Sequence, residues 1–534
     1  MYNTHKTYHP SDTYDGSATH GKGTISNSQS NYWILNHILR YQQTFADIHK
    51  VDVTLLYTQD ALIGDGSSIT ATKFSNEVLA YNNLTFSEEY SVKSNAYQQT
   101  SLGYMTRLNY SLMNKYLFTA TYRRDGFSGF GKNNKMAGFY SASFAWNLAN
   151  EAFMKNASKW LDMLKLRISY GQNGNQGIGR YGSLSRMGNA DYIFDTSVAI
   201  GLIPSTLGNE NLSWETTSSN NFGVDFSLLN QRISGNVDVY FANTKDVLVK
   251  RNLPGSTGYV NVFTNIGKVH NQGVELELNT VNIASPLRWE SRFVFSLNRD
   301  RIVDLYGDGK DDIGNQWFIG KSISAIYNYE RTGGVWTEEE LYNKQILDGF
   351  YPGQFRLRDL NGDNKITSGA DRKIVGYTAP NFRFGIGNTL TYKNLSLYFF
   401  LNSIQGGHGY YMGDLKRLLE ATSDYDYAQR CNQPAIRTNW TPDNGVTDTP
   451  SVYNYPSIAS GNYQDRSFVR LQDLSITYNL GPKIVKKLKV DGLQIFLSGH
   501  NLYTWTNWEG FDPELGGYYE MMMRDLNLGL RLRF

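Results

Sequence analysis

"LNLGLRLRF", Leu526 to Phe534, is the stretch on which the reading of this chain turns. Leu526, Leu528, Leu530 and Leu532 alternate with Asn527, Gly529, Arg531 and Arg533. Successive side chains of a strand point to opposite faces, so one face here is wholly apolar and the other carries two arginines. A soluble sandwich would turn the leucines inward, against a second sheet. A membrane barrel would turn them out to lipid and aim Arg531 and Arg533 into a polar lumen.

Period-two alternation recurs along the whole chain. Leu164, Leu166, Ile168 and Tyr170 alternate with Lys165, Arg167, Ser169 and Gly171, and Val274, Leu276 and Leu278 alternate with Glu275, Glu277 and Asn279. Phe382, Phe384, Ile386, Leu390 and Tyr392 share a face opposite Arg383, Gly385, Gly387, Thr389 and Thr391. Segments of this kind predict about fifteen strands and little helix, the best helix candidate being Glu151 to Met163. In Val469 to Leu480 the apolar phase flips between Leu471 and Leu474, which predicts a β-bulge near Gln472 and Asp473.

The connections decide between sandwich and barrel. Tight links are expected at Met113-Asn114-Lys115, Asn230-Gln231 and Lys393-Asn394, with long polar stretches between them at 60–100, 171–215, 305–380 and 406–468. Soluble domains rarely sustain structureless loops beyond about 15 residues, whereas outer-membrane barrels alternate short periplasmic turns with long external loops. Tyr110, Tyr116, Tyr170, Tyr392 and Tyr478 are expected near strand ends, where aromatic girdles mark the membrane interfaces.

Composition agrees. The 534 residues carry a net charge of +2, which argues for no nucleic-acid partner. The 38 tyrosines suit strands and membrane–water boundaries. Mean hydropathy is −0.46, and no apolar run approaches the ~18 residues a spanning helix needs. A membrane protein of this kind must be a closed barrel, because only helices and barrels satisfy their backbone in lipid. The expected fold is therefore all-β, a transmembrane antiparallel up-and-down barrel. The single cysteine, Cys431, excludes an internal disulfide and reads as an unreactive loop thiol. Met1 to Gln29 is polar and lacks the features of a signal peptide, so an amino-terminal part is expected to precede this chain.

Several stretches resemble the SusC/RagA family of TonB-linked outer-membrane importers of the Bacteroidetes. They are "LGYMTRLNYSLMNKYLFTATYRRDGFSGFGKNNK" (Leu102 to Lys135), "WLDMLKLRISYGQNGNQ" (Trp160 to Gln176) and "NENLSWETTSSNNFGVDFSLLNQRISGNVDVYFANTKDVL" (Asn209 to Leu248). "NIGKVHNQGVELEL" (Asn265 to Leu278), "SFVRLQDLSITYNL" (Ser467 to Leu480) and "SGHNLYTWTNWEGFDPELG" (Ser498 to Gly516) follow in the family's order. The resemblance implies a barrel of about 22 strands closed by an amino-terminal plug. It also implies energy from TonB through a box ahead of the plug, and a SusD-like lipoprotein as a hinged lid that captures glycans or peptides. Contact with outer-membrane lipid and lipopolysaccharide follows, and Phe534 resembles the signal read by the barrel-assembly machinery. The plug and TonB box are not found in 1–534, which is expected to be the carboxyl-terminal two-thirds of the barrel, and the implied function belongs to the whole protein.

Candidate sites lie in the long connections. "DLNGDNKITSGADR", Asp359 to Arg372, places Asp359, Asn361 and Asp363 at positions 1, 3 and 5 of an EF-hand-like loop, with the Lys365 carbonyl at 7. Asn364 replaces the turn glycine and the acid Asp371 falls one place late, so a calcium site and an Asx-rich turn are both open. No cofactor other than this calcium is expected. "GDGKDD" (307–312) reads as a solvated loop, and "GIGRYG" (177–182) lacks the βαβ context of a dinucleotide site. No hydrolase, zinc or nucleotide motif is present, so an enzyme is not expected. Substrate contact is expected from loop aromatics, namely Trp317, Trp336, Tyr410, Tyr411, Tyr425, Tyr427 and Trp440, which stack on sugars or pack the loops and lid. The importer reading competes with a passive porin and with a soluble carbohydrate-binding sandwich.

Overall fold

A computed structural model describes residues 1–194, 197–410, 440–445, 450–451, 463–516 and 522–534, with the backbone alone for Ser197, Val198, Asn252 and Tyr410. Tyr411, Tyr425, Tyr427 and Cys431 lie outside the described residues. Sixteen strands form one antiparallel sheet, hydrogen-bonded in chain order from Tyr2–His9 to Asp525–Arg533. Each strand neighbours the next, which is the up-and-down pattern. The described connections contain five two-stranded ladders, such as Arg186–Phe194 with Ser197–Thr206 and Ala325–Tyr329 with Arg372–Tyr377.

The tight links are as expected, and local backbone explains them. Met113 and Asn114 take φ of 54° and 53°, Asn230 and Gln231 take 56° and 63°, and Lys393 takes 52°. Left-handed residues of this kind match the twist of adjoining antiparallel strands, and Asn tolerates them best. The bulge is also found. Opposite Phe400 and Leu401 the register jumps from Asp473 to Leu471, leaving Gln472 unpaired.

Two expectations are corrected. The 60–100 stretch is mostly sheet, because His49–Phe74 and Ser87–Leu112 are 26-residue strands paired from His49–Leu112 to Phe74–Ser87. Their outer halves are polar on both faces (Ser67, Ser68, Asn95, Ser94), so the period-two contrast disappears there while the ladder continues. The 151–163 segment is a 3-10 helix, Ala152–Lys159, that gives way to a strand at Leu161. Among the tyrosines, Tyr170 lies well inside its strand, Leu161–Asn175, whereas Tyr116 and Tyr392 are terminal.

The chain divides into two compact units: 1–146, 168–220 and 242–268, and 147–167, 221–241 and 269–534. In the first, Tyr122 pairs with Tyr140, Phe118 with Phe144 and Leu108 with Ala120, and the aromatic rings of this face are exposed. The opposite face of the same strands carries Arg107 beside Thr121 and Asn109 beside Thr119. In the second unit one transverse row reads Leu528, Leu497, Ile476, Leu397, Leu390 and Trp289. The adjacent row, on the other face, reads Asn527, Ser498, Ser475, Tyr398, Thr389 and Glu290. Leu528 is 78% exposed, and Leu526, Leu530 and Leu532 are uncovered too. Among the described residues no second layer shields this face, which removes the sandwich. Arg531 and Arg533 instead border a concavity with Val485, Lys486 and Gln494.

An arginine placed in the apolar row is therefore costly and one beside it is not. Leu497→Arg is expected to lower unfolding free energy in vesicles by about 2–4 kcal/mol, less if the row lies near an interface, while Ser498→Arg changes it by under about 1 kcal/mol. Denaturant titration of the vesicle-folded protein reads the difference, and equal costs for the two would contradict the two-faced sheet.

Candidate functional site

Polar side chains collect on the inner faces. In the first unit Arg107 Nε donates to Thr121 Oγ1 at 3.3 Å, and Thr119 Oγ1 donates to Asn109 Oδ1 at 2.9 Å. Arg107 and Thr121, with Arg123, Asp125, Gln172 and Asn175, line a concavity of about 670 Å³. Its end is closed by a buried cluster of Phe127, Phe130, Phe139, Ile178, Leu212 and Trp214. Trp214 Nε1 donates to the Lys135 carbonyl at 3.2 Å, so the ring is held at both its apolar and its polar end. Gly131 passes so close to Glu210 that a Cβ there would lie 2.0 Å from its carbonyl oxygen. Ser213 N donates to Asn265 Oδ1 and Asn265 Nδ2 returns a bond to Ser213 O, both at 2.7 Å. The "NENLSWE" stretch thus seals the base of its connection.

In the second unit Arg167 donates to Asp225 at 2.7 Å and to Asp238 at 2.8 Å, and Asn221 donates to Asp238 at 3.0 Å. A second concavity, about 760 Å³, is lined by Arg288, Glu290, Arg292, Tyr398 and Asp473. Charges of both signs alternate along these walls.

Arg470 is a deeply buried cation, only 1% exposed. It donates to Thr504 at 2.9 Å, Glu514 at 2.8 Å and the buried Asp512 at 2.6 Å. Arg466 adds a bond to the Pro513 carbonyl at 2.7 Å. Together they tie the connection after Gly492–Thr506 to the strand Phe468–Asn479. Sequence reasoning missed Arg470, since its carboxylate partners lie more than forty positions away; the run "FDPE" (Phe511 to Glu514) was the available signal.

The proposed ion loop is self-satisfied. Asp359 accepts from Gly362 N at 2.7 Å and Asn364 N at 2.8 Å, and Asp363 accepts from Lys365 N at 2.9 Å. Asn364 occupies the turn position at φ 66°, which Asn adopts readily. Asp371 is fully buried and accepts from Leu360 N at 2.9 Å and Thr367 N at 2.8 Å. Burial opposes its charge, but these backbone bonds outweigh it and hold the carboxyl below its usual range. Among the described residues no three His, Cys, Asp or Glu side chains converge as metal ligands.

The loop aromatics take different positions. Trp440 is 6% exposed, its ring 2.6 Å from where a Cβ on Gly353 would stand, and Gly353 has φ of 82°. Its ring is therefore almost wholly covered. Half-buried Trp336 packs under the Arg356 guanidinium at 5.3 Å, beside a short helix, Glu338–Tyr342, capped reciprocally by Thr337 and Glu340. Trp317 pairs its backbone with Asp312 and remains half-buried. Tyr410 ends a short strand, His408–Tyr410.

A family model described as "TonB dependent receptor-like, beta-barrel" matches residues 1–502. The chain belongs to the TonB-dependent receptor β-barrel family. TonB-dependent receptor P3 of Formosa agariphila is 31% identical over 98% of the chain and 53% of its own length. TonB-dependent receptor SusC of Bacteroides thetaiotaomicron is 29% identical over 82% of the chain and 44% of its own length. The chain thus spans about half the length of these relatives. A structure of the RagAB peptide importer in an open-open state superposes with a TM-score of 0.81 at 24% identity, over the whole chain and 58% of that one. This likeness shows the fold. The chain is thus an outer-membrane β-barrel protein, of a family whose members are receptors rather than enzymes.

Two outcomes test this geometry. Arg470→Leu leaves Asp512 buried without its partner and is expected to cost about 3–5 kcal/mol, part of which Asp512→Asn restores. Melting in detergent measures both, and a neutral Arg470→Leu would remove the clamp. At the Asp359–Arg372 loop, limited proteolysis is expected to be the same with calcium or chelator. Because the Asp371 carboxyl is depressed in the folded state, its stabilisation is present above the unfolded value near ~3.9 and lost as pH falls through the lower folded value. Cleavage should therefore rise in acid, and Asp371→Asn should abolish that rise.

Proposed function

We propose that this chain is the carboxyl-terminal barrel portion of a nutrient importer of the SusC type. In this reading a bulky oligosaccharide or peptide crosses the outer membrane with energy transmitted through TonB, and a SusD-like lipoprotein covers the outer mouth. The carrying observation is the two-faced sheet, apolar in the row through Leu497 and polar in the row through Ser498, on a fold shared with a peptide importer. The kinship with SusC supports the same reading. Inner walls of mixed charge, with Arg167 between Asp225 and Asp238, suit a neutral polar cargo. Long connections such as 305–380, built into ladders, favour a docked lid over a bare passive porin. Arg531 and Arg533 belong to the lumen side in this account, and Phe534 to the assembly signal. The loop Asp359–Arg372 serves as a self-capped turn that stiffens an outer connection, rather than as a calcium site.

The decisive experiment removes the TonB-contacting segment from the whole protein in its own cell. Uptake of the nutrient, followed with labelled oligosaccharide or peptide, is expected to fall to background while the outer-membrane level of the barrel is unchanged. Undiminished uptake would identify a passive pore and refute the proposal.

A further inference from the structure

Short turns close one end of the first unit, with Ala46 and Asp47 at φ of 48° and 58° and Met113 and Asn114 at 54° and 53°. In outer-membrane barrels that end faces the periplasm, so Lys22–Phe45, His49–Phe74 and Ser87–Leu112 rise toward the external side. No register shift interrupts either pairing, so one face can be followed by counting in twos. The row Leu39, Leu55, Thr106, Tyr122 and Tyr140 lies on the lipid-facing side. Higher on the same face stand Tyr57 and Tyr104, with ring centres 5.4 Å apart, and the exposed Trp33. These rings mark the outer interfacial girdle.

Further out the same face becomes polar. Gln29 pairs with Asp65 and Asp65 with Ala96, and the next row is Asn27, Ser67 and Ser94. With Tyr2, which pairs with Gln29, these residues line a concavity of about 490 Å³. Gln29 is four residues beyond Trp33, Asp65 eight beyond Tyr57 and Ser94 ten beyond Tyr104. At roughly 3.3 Å per residue and a strand tilt near 40°, the concavity stands about 10–25 Å above the girdle. A phospholipid headgroup layer is only about 5–8 Å deep, so its phosphates end below this site.

The side chains here have unused hydrogen-bonding capacity. Gln29, Asp65, Ser67 and Ser94 are exposed and have no side-chain partner among the described residues. Asn27 Oδ1 accepts from Thr4 Oγ1 at 3.0 Å and from Tyr2 Oη at 3.4 Å, which leaves its amide N–H groups to donate. The Tyr2 residue is 69% exposed. An aromatic face beside amides, hydroxyls and a carboxylate is the set that holds a sugar. The ring takes the C–H face of the sugar, and Asp65 accepts from its hydroxyls in charge-assisted bonds. Asp65 is the one charged residue lining the concavity, and a carboxylate repels phosphate.

We propose that this concavity binds the oligosaccharide headgroup of an outer-leaflet glycolipid, the class to which lipopolysaccharide belongs. The saccharide rises past the phosphate layer to Tyr2, Asn27 and Asp65, while the acyl chains lie against Leu39 and Leu55 below the girdle. A soluble glycan would use the upper contacts alone, so the outward position selects the lipid-linked form. The proposal rests on the membrane location and not on the import reading.

The test uses the whole protein, delipidated in a neutral detergent and titrated with lipopolysaccharide carrying its core sugars, with lipid A, or with the free core oligosaccharide. Bound ligand is read by native mass spectrometry. The core-bearing lipid is expected to be held at least about tenfold more tightly than lipid A, and Asn27→Ala with Asp65→Ala should erase that margin. The free oligosaccharide should bind more weakly than the lipid-linked form. Equal retention of the two lipids, a margin that survives the double substitution, or free oligosaccharide bound as tightly as the lipid would each overturn the assignment. A salt titration of the unaltered protein guards against misfolded variants. Hydroxyl contacts are not screened, so the margin should persist at ~1 M salt, where the screening length is about 3 Å. Its loss there would put phosphate in the site and overturn the assignment equally.

Discussion

Hydrocarbon offers no hydrogen bonds, and that single fact organises this molecule. Every backbone N–H and C=O inside the membrane must find its partner within the chain, which leaves a continuous strand ladder as the solution where, among the described residues, no helix is long and apolar enough to cross. The sixteen strands pair each with the next, so the ladder runs unbroken along the chain order. Side chains then have only two directions to take. The row through Leu528 and Leu497 faces outward, and the row through Asn527 and Ser498 faces inward, because strand geometry permits nothing between.

Legibility in the sequence follows from where that contrast operates. Leu526 to Leu532 could be read because lipid on one side and polar lumen on the other force a strict period of two. The Gln472 bulge could be read because a slip of one residue inverts that pattern. The outer halves of His49–Phe74 and Ser87–Leu112 could not, since Ser67, Ser68 and Asn95 meet polar surroundings on both faces and leave no periodic trace. The 3-10 segment Ala152–Lys159 failed for another reason. Its few apolar residues mimic a helical face, while the link into Leu161 is too short for a full helix.

The long connections were legible in the sequence, but the spacing of their aromatic residues did not say which rings would be covered. Trp440 is covered because Gly353 lets backbone approach its ring, and that pairing joins residues 87 positions apart, 440 minus 353. Arg470 was invisible for the same reason. In "SFVRLQDL" it reads as one more inward polar residue, and only the fold brings Asp512 and Glu514 to it. The calcium-like spacing at Asp359 is the converse case. Carboxylates at every second position bind a cation or their own loop's N–H groups equally well in one dimension, and here Gly362, Asn364 and Lys365 provide the donors.

These connections are held by polar satisfaction as well as by apolar packing, the latter in buried side chains such as Leu212, Val335 and Phe355. Charge pairs add to it where they are shielded from water. Arg470 with Asp512 achieves this through near-complete burial, and Glu330 through two cations, Lys373 at 2.7 Å and Arg358. The Lys373 bond, followed by burial working against it, leaves the Glu330 carboxyl below its ordinary range. Buried pairs of this type add little net stability but impose one geometry, since any other arrangement strands a charge.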